Sequence, residues 1–113
     1  QQRYAEATSA FQQFLQVFPD SELADNGQYW LAESYYVTQK FAEALAAFTE
    51  VTTRYPLSRK LPDALLKIGY CHYEMGSWEA ARTALIRAQS EFPESTASRL
   101  AGQRLSRMQD EGV

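Results

Sequence analysis

Pro19, Pro56 and Pro93 stand 37 residues apart, each inside the same short text: VFPDS (17–21), RYPLS (54–58) and EFPES (91–95). A fixed period of this length constrains the fold of a 113-residue chain more than any other feature, because self-similarity over roughly 20–50 residues marks stacked repeats. The period is not confined to the Pro-Ser text. YAEATSAFQQFLQVFP (4–19), FAEALAAFTEVTTRYP (41–56) and WEAARTALIRAQSEFP (78–93) superimpose at the same offset. Each opens on an aromatic residue (Tyr4, Phe41, Trp78), followed at three by a small one (Ala7, Ala44, Ala81). A large apolar residue comes at seven (Phe11, Phe48, Leu85), and Phe14, Val51 and Ala88 come at ten. Offsets of 0, 3, 7 and 10 trace one face of an α-helix, here called helix B. Each Pro falls just past its last turn, where the helix cannot continue.

Between these lie NGQYWLAESYYVTQ (26–39) and DALLKIGYCHYEMG (63–76), which also superimpose. Gln28, Leu31, Ala32 and Tyr35 match Leu65, Ile68, Gly69 and His72, again at helical spacing; this is helix A. Gly102, Leu105, Ser106 and Gln109 take the same offsets in a more polar stretch, which suits a terminal cap with one face in water. The order is B-A-B-A-B-A. The small pairs Ala32 with Ala44, and Gly69 with Ala81, let the two helices of a hairpin approach closely. Tyr4, Phe41 and Trp78 are expected to fill the notch beside the hairpin turn. Ser21, Ser58 and Ser95 are candidate N-caps for the helices that follow. Pro62 lies too deep for a regular helix starting at Ser58 and suits one that begins near Leu61. The reading is one all-α domain over 1–113, a solenoid of antiparallel helix pairs: helix B of a truncated repeat (1–20), two repeats (21–57, 58–94) and a C-terminal capping helix (95–113).

Composition removes several alternatives. A net charge of -3 with interspersed signs lacks the basic stripe of a nucleic-acid binder. No apolar run approaches a membrane span. The single cysteine allows no internal disulfide and no Cys-based zinc site. Cys71 beside the only histidine, His72, invites a nucleophile–base reading, but adjacent helical residues diverge by about 100°. His72 takes the structural place of Tyr35, and Cys71 the small place of Ser34. No phosphate loop, paired-His metal spacing or catalytic Ser motif occurs. The expectation is no enzyme, no catalytic residue, no metal and no cofactor. The pattern is already running at Tyr4, so the chain is expected to be a fragment, and the lack of a leader says nothing about compartment.

The series Leu-Ala/Gly, aromatic, Gly, aromatic, Ala, Phe, Ala, Pro resembles the tetratricopeptide repeat, lengthened here from about 34 residues by three between the Pro and helix A. YWLAESYY, FAEALAAFTEVTTRYPLS and PDALLKIGYCHYEMG resemble in particular the lengthened repeats of the periplasmic Tol-Pal system proteins of Gram-negative bacteria. The likeness runs from about Tyr4 to Leu105. It implies a periplasmic scaffold that binds TolA and helps coordinate septal peptidoglycan synthesis, by a class A penicillin-binding protein, with outer-membrane constriction in cell division. It also implies trimerisation through an N-terminal coiled coil outside this sequence, and a monomeric repeat fragment. The outer-membrane assembly scaffolds of the BamD type share the lengthened repeat and are the alternative.

Stacked hairpins of this kind curve, with helix A lining the concave side. A second face of helix A, roughly 130° from the first, carries Asn26, Tyr29, Glu33 and Tyr36, then Asp63, Leu66, Tyr70 and Tyr73 with Glu74, then Leu100, Gln103 and Arg107. This face is expected to lie off the hairpin core and to bind a partner. Tyrosine offers apolar area with a polar tip at low entropy cost; packing against neighbouring helices with wet hydroxyls is the plainer explanation. Glu33, Asp63 and Glu74 favour a peptide with basic residues, against the plainer view of a solvated rim.

Overall fold

Residues 2–17 and 23–113 are described by a computed structural model. They form α1 (Gln2–Val17), α2 (Ala24–Val37), α3 (Phe41–Arg54), α4 (Leu61–Glu74), α5 (Trp78–Glu91) and α6 (Thr96–Glu111), with no strand among the described residues. Each helix packs on the next, and α4 also packs on α6. The result is an all-α helical-repeat solenoid measuring 44 × 30 × 18 Å. Helices α1, α3 and α5 are the B helices of the sequence pattern; α2, α4 and α6 are the A helices.

The hairpin turns come from one local device used twice. Gln39 (φ 63°) and Gly76 (φ 75°), 37 residues apart, are left-handed. Lys40 N–H donates to the Tyr35 carbonyl (2.9 Å) and Gln39 N–H to that of Tyr36 (3.0 Å); Ser77 and Gly76 repeat the pair on His72 (2.8 Å) and Tyr73 (3.0 Å). These paired bonds satisfy the orphan carbonyls of a helix end and reverse the chain within three residues. Glycine adopts this conformation freely, whereas Gln39 holds it against a steric cost.

The three serines divide. Ser95 caps α6, its Oγ accepting from Ser98 N–H (3.0 Å), as expected. Ser58 does not cap α4, which begins at Leu61 with Pro62 in its first turn. Its hydroxyl accepts from Lys60 N–H (3.0 Å) and donates to Asp25 Oδ2 (2.6 Å), tying the entry of α4 to the start of α2. Pro62 accounts for the late start, since its ring fixes a helical φ and its missing N–H is one that a first turn leaves unbonded anyway. Ser21 lies outside the described residues.

Two apolar clusters form the core. One joins Tyr29, Ala32, Ala44, Ala47, Phe48, Val51, Ala64 and Cys71 from α2, α3 and α4. The other joins Leu65, Leu66, Ala81, Leu85, Ala88, Ala97, Ala101 and Met108 from α4, α5 and α6. Helix α4 therefore serves two cores, its own hairpin's and the preceding one's. The small residues act as expected: Ala32, Ala44 and Ala81 are fully buried, and a Cβ on Gly69 would lie 2.6 Å from Leu85 Cδ2 and 2.7 Å from Cγ. Gln28, the polar residue of the core face, is satisfied by donating from Nε2 to the Ala47 carbonyl at 2.9 Å. Phe41 and Trp78 pack edge-on against Tyr36 (5.5 Å) and Tyr73 (5.4 Å) beside their turns. Tyr4, assigned the same role, is instead 46% exposed.

Two substitutions test this packing. Phe48 is fully buried, so Phe48→Ala is expected to destabilise by about 3–5 kcal/mol in denaturant melts. Gly69→Ala gains about 1 kcal/mol of helix propensity but forces Leu85 aside, at about 1–3 kcal/mol. A net loss is expected, and the same change in a Leu85→Ala background is expected to stabilise; the double-mutant cycle separates the two terms.

Candidate partner-binding face

Helices α2, α4 and α6 present the 37-residue register side by side, and their facing side chains interlock as alternating rings and cations. The Lys67 ammonium lies 4.9 Å over the Tyr36 ring and 5.9 Å from that of Tyr70, and 2.9 Å from Glu33 Oε1. The Arg104 guanidinium lies 4.1 Å over Tyr70 and 4.7 Å over Tyr73. Arg107 lies 5.7 Å from Tyr73 and pairs with Glu111 at 3.1 Å, and Glu111 accepts the Tyr73 hydroxyl proton. At the other end Lys60 covers Tyr29 (4.9 Å) and Trp30 (5.1 Å). Such contacts strengthen as they lose water, and Lys67 and Glu33 retain only about a fifth of their side-chain exposure.

The expected site residues fall into three groups. Asn26, Glu74, Gln103 and Arg107 are exposed. Glu33, Tyr36, Asp63, Tyr70, Tyr73 and Leu100 are half-buried. Tyr29 and Leu66, at 6% and 3% exposure, are core. Tyr29 packs edge-on against Phe48 of its own hairpin at 5.5 Å, and Leu66 joins the α4–α6 core. This corrects the expectation that the second face lies off the core. A helix A in a stack touches both its own helix B and the next helix A, so its buried arc exceeds one face. The half-buried tyrosines are likewise packed on neighbours, Tyr36 against Phe41, Tyr73 against Trp78 and Tyr70 under Arg104. Glu33 is committed to Lys67; among the described residues, Asp63 and Glu74 carry the face's unpaired acidic charge.

Lys60, Lys67, Arg104 and Trp30 were not singled out by sequence reasoning. The signal was present for three of them, because Trp30, Lys67 and Arg104 share one register position, directly beside the tyrosine register.

Ionisation follows packing. Burial, aided by nearby Glu74, pushes the Tyr36 hydroxyl up to about 12, and burial also raises Tyr29. The hydrogen bond to Glu111 raises Tyr73, and the same bond, followed by Arg107, lowers Glu111. Every tyrosine so shifted stays a neutral donor at physiological pH. Cys71 is fully buried, and burial pushes its thiol up to about 12; burial lowers His72. A protonated thiol sealed in the core is not a nucleophile. Native Cys71 is therefore expected to label slowly with a thiol reagent and quickly once unfolded, as read by mass shift against time with and without denaturant.

The comparisons agree with this architecture. Family models described as tetratricopeptide repeat match residues 1–59 and 63–95. No curated protein matches the chain. Repeats of this family indicate a protein–protein interaction scaffold. With the repeat models covering most of its length and the helix pairs built at the expected register, the chain belongs to the tetratricopeptide-repeat family.

Proposed function

We propose that this repeat domain is that of a YbgF (CpoB)-type periplasmic protein of the Tol-Pal system, and that it binds TolA. In that role it helps couple septal peptidoglycan synthesis by a class A penicillin-binding protein to outer-membrane constriction. The observation that carries the proposal is the 37-residue period, three longer than the usual repeat of about 34, together with the texts YWLAESYY and FAEALAAFTEVTTRYPLS. The lengthened repeat is shared with BamD-type scaffolds of outer-membrane protein assembly, which is the second reading. The proposed contact surface is the solvent-facing part of the α2–α4–α6 face: Asn26, Glu33, Tyr36, Asp63, Tyr70, Tyr73, Glu74, Gln103 and Arg107. The convex side, with Glu43, Glu50 and Arg54 exposed on α3, is the competing surface.

Titration with TolA tests this. Tyr36→Ala with Tyr70→Ala is expected to weaken binding by roughly a hundredfold or more, since aromatic anchors often carry about 2 kcal/mol each. Because Tyr36 also supports Phe41, circular dichroism and a melt must show the variant folded. Charge reversal at exposed Glu74 is expected to act more weakly, with an effect that fades as salt is added. Unchanged affinity in a folded double variant moves the site off this face. Wild-type protein that ignores TolA removes the Tol-Pal reading.

A further inference from the structure

We propose that Asn26 is a site of spontaneous deamidation, held shut by the packing of the first turn of α2 and opened when that turn loosens. The inference does not depend on which partner the α2–α4–α6 face binds. Asn26 is the only asparagine of the sequence, and a glycine follows it. It stands exposed in the first turn of α2, whereas Gly27 is buried.

The reaction needs only water. The Gly27 backbone nitrogen attacks Cγ of Asn26, and an N–Cγ bond forms as the Cγ–Nδ2 bond breaks. The Gly27 amide proton leaves with the side-chain nitrogen as ammonia, and a succinimide ring remains. Water then adds across one of the two imide C–N bonds. Opening at Cγ leaves an aspartate at position 26. Opening at the main-chain carbonyl leaves an isoaspartate, with an extra methylene in the backbone. Glycine hinders this ring closure least, because no side chain crowds the attacking nitrogen and its backbone turns freely.

The fold opposes the attack from three directions. Ring closure requires ψ of Asn26 to leave the helical value of about -42°, and Gly27 N–H is engaged by the Leu23 carbonyl at 3.0 Å. Asn26 N–H donates to Asp25 Oδ1 (2.8 Å), while Asp25 Oδ2 accepts from the Ser58 hydroxyl (2.6 Å). One carboxylate thus ties the backbone of residue 26 to the entry of α4. From the other side Phe14 of α1 lies against Gly27, where a Cβ would stand 3.1 Å from Cδ1 and 3.3 Å from Cε1. This close approach is a packing reason for the glycine, and the same glycine makes Asn26 reactive once the turn opens.

The two products differ in consequence. The next repeat carries Asp63 at the register position of Asn26, each being the third residue of its helix. An aspartate at position 26 therefore suits the fold, and a carboxylate is favourable near a helix N-terminus. It adds a negative charge to the α2–α4–α6 face. An isoaspartate lengthens the backbone and draws Gly27 out of its seat under Phe14.

The test follows the 113-residue chain in mildly alkaline buffer, native and in urea. The peptide containing position 26 is resolved by mass into amide and acid, and isoaspartyl methyltransferase labelling counts the isoaspartate. The denatured chain is expected to convert about tenfold faster or more than the native one, as for a group reached only through local opening. Asn26→Gln is expected to convert in neither state. Ser58→Ala releases Asp25 without touching α1, and Phe14→Ala uncovers Gly27; each is expected to speed native conversion several-fold. Ser58→Ala carries the test alone if a melt shows Phe14→Ala unfolded. Met108→Ala, which loosens the far core, is expected to leave the native rate unchanged. Native conversion as fast as in urea, or a folded Ser58→Ala protein with the wild-type rate, overturns the proposal. Acceleration by Met108→Ala equal to that by Ser58→Ala assigns the reaction to global unfolding and overturns it equally.

Discussion

The close approach of the two helices in each hairpin is the constraint on which the rest depends. It is set where Ala32 meets Ala44 and where Gly69 meets Ala81 and Leu85. With no Cβ on Gly69, the Leu85 side chain occupies the space that a larger residue would claim. That distance fixes how far the side chains of Phe48 and Leu85 reach into the core, and hence where the following helix A can lie. A glycine in mid-helix is unfavourable by about 1 kcal/mol relative to alanine, and here the packing it permits offsets that cost.

Stacking between repeats uses different chemistry from packing within them. Inside a hairpin the contacts are small aliphatic and aromatic surfaces. From one helix A to the next, Lys67 sits among Glu33, Tyr36 and Tyr70, and Arg104 between Tyr70 and Tyr73. The Ser58 hydroxyl on Asp25 adds a polar tie at the entry to α4. Rings recruited for this purpose have their faces covered by cations.

The helices and their hairpin pairing were legible because the period repeats every local signal three times: the aromatic at the turn, the small residue, the large residue and the proline. Pro62 also foretold the late start of α4. What periodicity could not give was the width of the buried arc. Tyr29 and Tyr36 share one face of α2, yet Tyr29 is core and Tyr36 is half-buried, because Phe48 and Lys60 close over the first while the second faces the inner side of the stack. The cations were hidden for a related reason. Lys67 and Arg104 read as ordinary surface charges until the neighbouring repeat brings tyrosine rings beneath them. Tyr4 shows the limit of register itself, since equivalent positions need equivalent neighbours, and α1 has none on its open side.

The two sides of the solenoid are joined unequally. On the inner side, rings, cations and carboxylates strap α2 to α4 and α4 to α6. At the first hairpin a cleft of about 630 Å³ lies between α1 and the end of α2, lined by Thr8, Ser9, Gln12, Tyr35 and Thr38, and bridged there by the Gln12–Tyr35 hydrogen bond at 2.9 Å. Bending of this stack is thus expected to concentrate at the step from α1 to α2, where the cleft can widen or narrow against one hydrogen bond, while the steps sealed by the two cores and strapped by Lys67 and Arg104 keep their spacing.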